Sequence, residues 1–134
     1  MTAEPSAAVS FEPNLEAPAR ARGFVRESLV AWGFDDCVEA TQLVVSELVA
    51  NAVVHAGYEP VILRLRVDGP RLRIEVSDGD ARSVPQLELP NDLGARGLHL
   101  VDSYALAWGF APSGERKTVW CEMSLVPTRA APNP

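Results

Sequence analysis

Cysteine is scarce in this chain: Cys37 and Cys121 are the two in 134 residues, far apart and in no Cys-x-x-Cys or Cys/His spacing. That speaks against a disulfide framework and a zinc ribbon, and leaves two thiols for the interior. Lysine is scarcer still, because eleven of the twelve basic residues are Arg and Lys117 is the single Lys. Histidine is limited to His55 and His99. Basic residues are outnumbered by 18 acidic ones, for a net charge of −6, which argues against a phosphodiester backbone as a direct partner. Unbroken apolar runs are only a few residues long, against the roughly 20 needed to span a bilayer, and no basic-then-apolar start resembles a signal peptide. A cytoplasmic domain without a membrane partner is expected.

What is present is a chain able to fold. Its length suits one domain. Apolar residues make up 47%, and 18 Ala with 16 Val mean that much of the core is built from small and β-branched side chains. Residues 1–16 carry Ala, Pro, Ser and Glu without periodicity and read as a flexible N-terminal tail. Residues 127–134, with three prolines, read as a flexible C-terminal tail. The domain is expected over 17–126, with no internal repeat.

From Pro18 to Trp32, Ala21, Phe24, Val25, Leu29 and Ala31 or Trp32 recur at helical spacing, and Gly33 closes this first helix. Asp35 and Asp36 offer an N-cap to a second helix that runs through Val38, Leu43, Val45, Leu48, Val49, Ala52 and Val53 to near Gly57. That helix is apolar nearly all round, so it is expected at the centre of the domain. Leu63, Leu65 and Val67 alternate with Arg64 and Arg66. After Asp68-Gly69-Pro70, Leu72, Ile74 and Val76 alternate with Arg71, Arg73 and Glu75, the pattern of an antiparallel hairpin with one wet face. The stretch from Asp80 to Leu93 resembles a lid. It leads through Gly94-Ala95-Arg96-Gly97 to a short helix of Leu98, Leu100 and Val101. Strands over Tyr104–Phe110 and Lys117–Leu125 follow, joined by a turn containing Pro112 and Gly114. The expected fold is a two-layer α/β (α+β) sandwich, its mainly antiparallel sheet carrying helices on one face.

Between Thr41 and His55 the one formally charged side chain is Glu47. A lone carboxylate on a central helix is costly unless it is paired or hydrated, and a carboxylate so placed is a general-base candidate. Glu47, Asn51 and His55 stand at i, i+4 and i+8, along one stripe of the helix. Such a stripe either closes an internal network or faces a polar ligand. Asp78-Gly79, where the second hairpin strand ends, is either a turn or a carboxylate able to read an amino group beside a glycine that admits a ligand. Gly94-Ala95-Arg96-Gly97-Leu98 opens a helix, whose free amides suit an anion.

In order and approximate spacing, Glu47-x-x-x-Asn51-Ala52-x-x-His55-Ala56, Asp78-Gly79, Gly94-x-Arg96-Gly97-Leu98-x-Leu100-Val101 and Lys117-Thr118-Val119-Trp120 resemble the boxes of the GHKL (histidine kinase-like) ATPase superfamily. The similarity is to its small anti-sigma-factor serine/threonine kinase branch and covers roughly residues 18–125. The resemblance implies a Bergerat-type ATP-binding fold. It implies Asn51 as the Mg2+ ligand and Glu47 as the catalytic base taking the proton of an attacking serine hydroxyl. Asp78 would receive the adenine amino group, Thr118 would support Asp78, and Gly79 would lie beside it. The amides of Gly94 to Leu98, including Gly97, would hold the phosphates of ATP, with Arg96 near the developing charge. His55 closes its box, with packing its expected role. An anti-anti-sigma-type protein is the implied partner and a sigma factor the implied second one, with a homodimer as a family expectation.

The sequence also departs from that pattern. Where the family's first glycine box often continues D-x-G-x-G, this chain has Asp78-Gly79-Asp80-Ala81-Arg82. The departure leaves a second expectation open, a non-catalytic interaction module with a degenerate nucleotide site.

Overall fold

The computed structural model describes residues 4–55, 59–79, 101–113 and 116–125. Part of the segment expected to be a loose tail is ordered. Strand β1 (Ser6–Phe11) pairs antiparallel with β2 (Val61–Asp68), from Ser6 opposite Arg66 to Phe11 opposite Val61. A run of Ser and Ala carries no alternation for a sequence pattern to detect. The unpaired edge of β2 recruits it, and Phe11 reaches the core.

Helix α1 (Ala17–Ala31) carries a proline in its first turn, where the missing N–H has no helical partner to lose. It buries Ala17, Ala21, Val25, Ser28 and Leu29, one stripe at helical spacing. Phe24 and Trp32 pack against the core only in part. Gly33, at φ +86°, turns the chain out of the helix, and the amides of Gly33 and Phe34 return to the carbonyls of Val30 and Leu29 at 3.1 and 2.8 Å. Asp35 and Asp36, expected to cap the next helix, lie in a 3-10 turn (Asp35–Cys37) with no side-chain capping bond. The turn feeds directly into the helix, so no cap position is needed there.

Helix α2 (Val38–His55) buries Thr41, Val44, Val45, Leu48, Val49, Asn51 and Ala52. It packs against α1 and against β2 and β3, the central placement expected of a helix apolar on most sides. By length and composition Asp35–Val54 could cross a membrane, yet half of that stretch is buried inside the domain, as in a core helix.

The sheet has the order β1-β2-β3-β5-β4 and is antiparallel throughout, with β3 at Arg71–Asp78, β4 at Ala107–Ser113 and β5 at Arg116–Ser124. The β2–β3 hairpin turns at Gly69, whose φ of +59° suits glycine. Leu63, Leu65 and Val67, then Leu72, Ile74 and Val76, then Val119, Cys121 and Met123 face the helices and are buried. The expected two-layer architecture is the observed one.

Strand β4 begins later than its sequence suggests. Residues 101–104 are helical, the Ala105 amide returns to Val101 at 2.8 Å, and sheet pairing starts where Leu106 N–H meets the Glu122 carbonyl at 2.7 Å. Pro112, expected in the turn, lies inside β4 opposite Lys117. An edge strand tolerates it because one side of its backbone has no partner. The expected lid, Asp80 to Leu93, and Gly114 lie outside the described residues.

Candidate functional site

Three elements bring polar side chains to one end of the domain, and Arg116 ties them together. At the start of β5, Arg116 Nε donates to Ser77 Oγ at 3.0 Å, while its Nη2 donates to the Ser77 carbonyl at 2.9 Å and the Pro60 carbonyl at 3.0 Å. Pro60 lies between α2 and β2, so the clamp joins the α2–β2 connection to the end of β3 and the start of β5. Pro60 is thereby held beside Ser77, the residue before Asp78. Sequence reading passed over Arg116. No local pattern marks it, because its partners lie 39 and 56 positions away.

Glu47 is half-buried on α2 rather than enclosed, and Asn51, one helical turn on, is buried at 8% exposure. His55 is the last residue of α2. Asp78 ends β3 on the face turned to the helices, following Leu72, Ile74 and Val76 in alternation, and is 1% exposed. The space beside Gly79 is taken by the chain itself: a Cβ there would collide with the side chain of Glu59. The glycine is thus needed for the approach of the α2–β2 connection.

The register of β3 and β5 corrects one expectation. Thr118 stands opposite Ser77, on the other face of the sheet, and the residue opposite Asp78 is Lys117. Lys117 is buried at 1% exposure, and its Nζ lies 3.6 Å from Asp78 Oδ2. The signal for this is in the sequence, since the alternation through Val119, Cys121 and Met123 puts Lys117 on the apolar face. Gly94, Arg96, Gly97 and Leu98 lie outside the described residues, as does the His55 side chain.

The thiols have no place in this chemistry. Burial pushes Cys121 up to about 12. Cys37 is also raised, by burial first and by the Asp36 charge second, and its Sγ donates to the Leu125 carbonyl at 3.2 Å. Among the described residues no group of three His, Cys, Asp or Glu is placed to hold a metal ion. A cation at Asn51 would meet a neutral amide oxygen, a donor type that suits Mg2+ when phosphate and water complete its shell.

A helix pair on one face of an antiparallel sheet, with Asn51 on the central helix and Asp78 closing a central strand, can be compared with known proteins. Residues 11–121 match the model of the histidine kinase-like ATPase domain. The chain belongs to that family. An uncharacterized protein of Streptomyces coelicolor, SCO4941, is 35% identical over 82 residues, which cover 58% of this chain and 78% of that relative. Among solved structures, the RsbU and RsbW domains of Rv1364c from Mycobacterium tuberculosis match with a TM-score of 0.69 at 17% identity, over 90% of this chain. This chain spans 32% of that protein's length. The histidine kinase domain of a blue-light-activated kinase from Erythrobacter litoralis matches with a TM-score of 0.54 at 23% identity, over 81% of this chain and 59% of its own. At such identities the structures share the fold, and the histidine kinase-like ATPase fold is the one expected from the boxes.

Proposed function

We propose that this chain is a cytoplasmic, ATP-binding regulator of the anti-sigma type, which phosphorylates a serine or threonine of a small anti-anti-sigma-type protein and sequesters a sigma factor. The observation that carries the reading is that Glu47 and Asn51 stand one helical turn apart on α2 and a buried Asp78 closes β3, in a member of the histidine kinase-like ATPase family. Asp78 would receive the amino group of adenine. Asn51 would offer its amide oxygen to Mg2+, which when bound neutralises phosphate charge. Glu47, half-buried and so reachable by a protein substrate, would take the proton from the attacking hydroxyl as the bond from oxygen to the terminal phosphorus forms and that to the leaving diphosphate breaks. Arg96 and the amides around Gly94 and Gly97 remain the proposed phosphate contacts, and His55 a packing residue.

A second reading has its own support. Asp80-Ala81-Arg82 replaces a glycine-bearing box, which suits an interaction module whose nucleotide site only gates partner binding.

Calorimetric titration with ATP and Mg2+ tests both, with Asn51→Ala and GTP as controls. The kinase reading expects binding that prefers ATP and weakens in Asn51→Ala, and a Glu47→Gln variant that keeps affinity while losing transfer to a partner. Equal loss of affinity and transfer in Glu47→Gln would count against its role as base. ATP binding without transfer to any partner would favour the interaction module.

A further inference from the structure

Lys117 is out of keeping with its surroundings. An ammonium carries three N–H donors, yet this one is sealed from solvent and its Nζ makes no hydrogen bond. Its counter-charge, Asp78 Oδ2, stands at 3.6 Å, beyond hydrogen-bond reach. On the opposite face of β3 Arg73 and Glu75 close to 2.8 Å. Leaving a buried donor unmade costs more than leaving it in water, so a group of this kind is expected to meet an acceptor in the state for which it is kept.

The register holds the two groups side by side as cross-strand partners at the ends of β3 and β5. A carboxylate oxygen next to an ammonium nitrogen is an acceptor beside a donor. Its complement is a donor beside an acceptor, the pattern a 6-aminopurine shows on its Watson–Crick edge, where the amino group adjoins ring nitrogen N1. We propose that Lys117 reads the base: its Nζ donates to N1 of an adenine whose amino group is received by Asp78. The inference rests on the reading of this end of the domain as an adenine-nucleotide pocket, and adds to it a second recognition point on β5. Asp78 alone would sense the amino group and be indifferent to N1. Asp78 with Lys117 senses both.

The test compares two nucleotides on the unmodified full-length chain. Calorimetric titration with Mg2+ is carried out with ATP and with 1-deaza-ATP, in which N1 is replaced by C–H and the amino group is kept. The expected result is that 1-deaza-ATP binds about tenfold or more weakly, the worth of a hydrogen bond from a charged donor. The Lys117→Met variant, checked for folding by circular dichroism, is expected to bind the two nucleotides alike. Equal affinities in the unmodified protein would overturn the Lys117 contact and leave the ATP pocket standing, as would a Lys117→Met variant that still discriminates. Failure to bind ATP at all would overturn the pocket and this inference with it. If Lys117→Met does not fold, the comparison of the two nucleotides on the unmodified chain decides alone.

Discussion

Strands β3 and β5 carry charges on both faces, and the two faces treat them in opposite ways. On the solvent side Arg71 and Arg73 meet Glu122 at 3.1 and 3.4 Å, Arg73 meets Glu75 at 2.8 Å, and the Arg73 guanidinium lies 4.7 Å from the centre of the Trp120 ring. Its bond to Glu75 is the main reason Arg73 holds its proton more tightly than an ordinary arginine. On the helix side, one pair, Asp78 and Lys117, is sealed in at 3.6 Å with the ammonium donors unmet. The exposed charges satisfy one another and keep a wet face wet. The buried pair is held by backbone register in a place where an apolar pair would pack more cheaply, and a fold does not keep such a pair for stability. The difference separates charges that satisfy one another in solvent from a buried pair placed where the nucleotide site is proposed.

Removing one partner of the buried pair is the sharpest way to break this comparison. Lys117→Met removes the cationic neighbour of the buried Asp78 carboxylate and is expected to lower stability in urea unfolding by about 3–5 kcal/mol, with Asp78→Leu added to it recovering most of the loss. A loss below about 1 kcal/mol would mean that the helix-side pair behaves like a surface pair.

Cys121, on the same face of β5, gives a pH test of how well that face is sealed. Its folded value, about 12, lies above the ordinary 9.0, so the folded state holds the proton more tightly than the unfolded chain. The corresponding stability is fully present below pH 9.0 and is lost as pH rises toward about 12. Unfolding midpoints are expected to fall across that window, less so in Cys121→Ala measured against its own neutral-pH value. In native protein at pH 8 a thiol reagent should modify Cys121 only as fast as the domain opens. Rapid labelling of a folded sample would show the face to be open.

The smallest effect belongs to the wet face. Glu122→Gln weakens its pairs with Arg71 and Arg73, and is expected to cost no more than about 1 kcal/mol, shrinking further in salt. A larger, salt-insensitive loss would erase the contrast between the two faces.

Much of the architecture was legible because it is written in period. Alternation placed β2, β3 and β5. Helical spacing placed α1 and α2, and Gly33 and Gly69 mark the breaks that their positive φ values require. The stripe of Glu47, Asn51 and His55 could be read because a helix repeats nearly every four residues. Strand β1 could not, since Ser-Ala-Ala-Val-Ser-Phe becomes a strand only beside the free edge of β2. Nor could the start of β4, where helical residues 101–104 and sheet pairing compete for the same stretch.

The sequence by itself determined the types of α1, α2, β2, β3 and β5, the apolar face of each, the family boxes and the burial parity of Lys117. Tertiary structure alone decided which residues meet: Lys117 rather than Thr118 opposite Asp78, Arg116 clamping Ser77 and Pro60, and Glu59 against Gly79. The reason is physical. Period and propensity are local and repeat within a few residues, whereas strand register and loop contacts are fixed by packing between segments tens of positions apart, which no local pattern encodes.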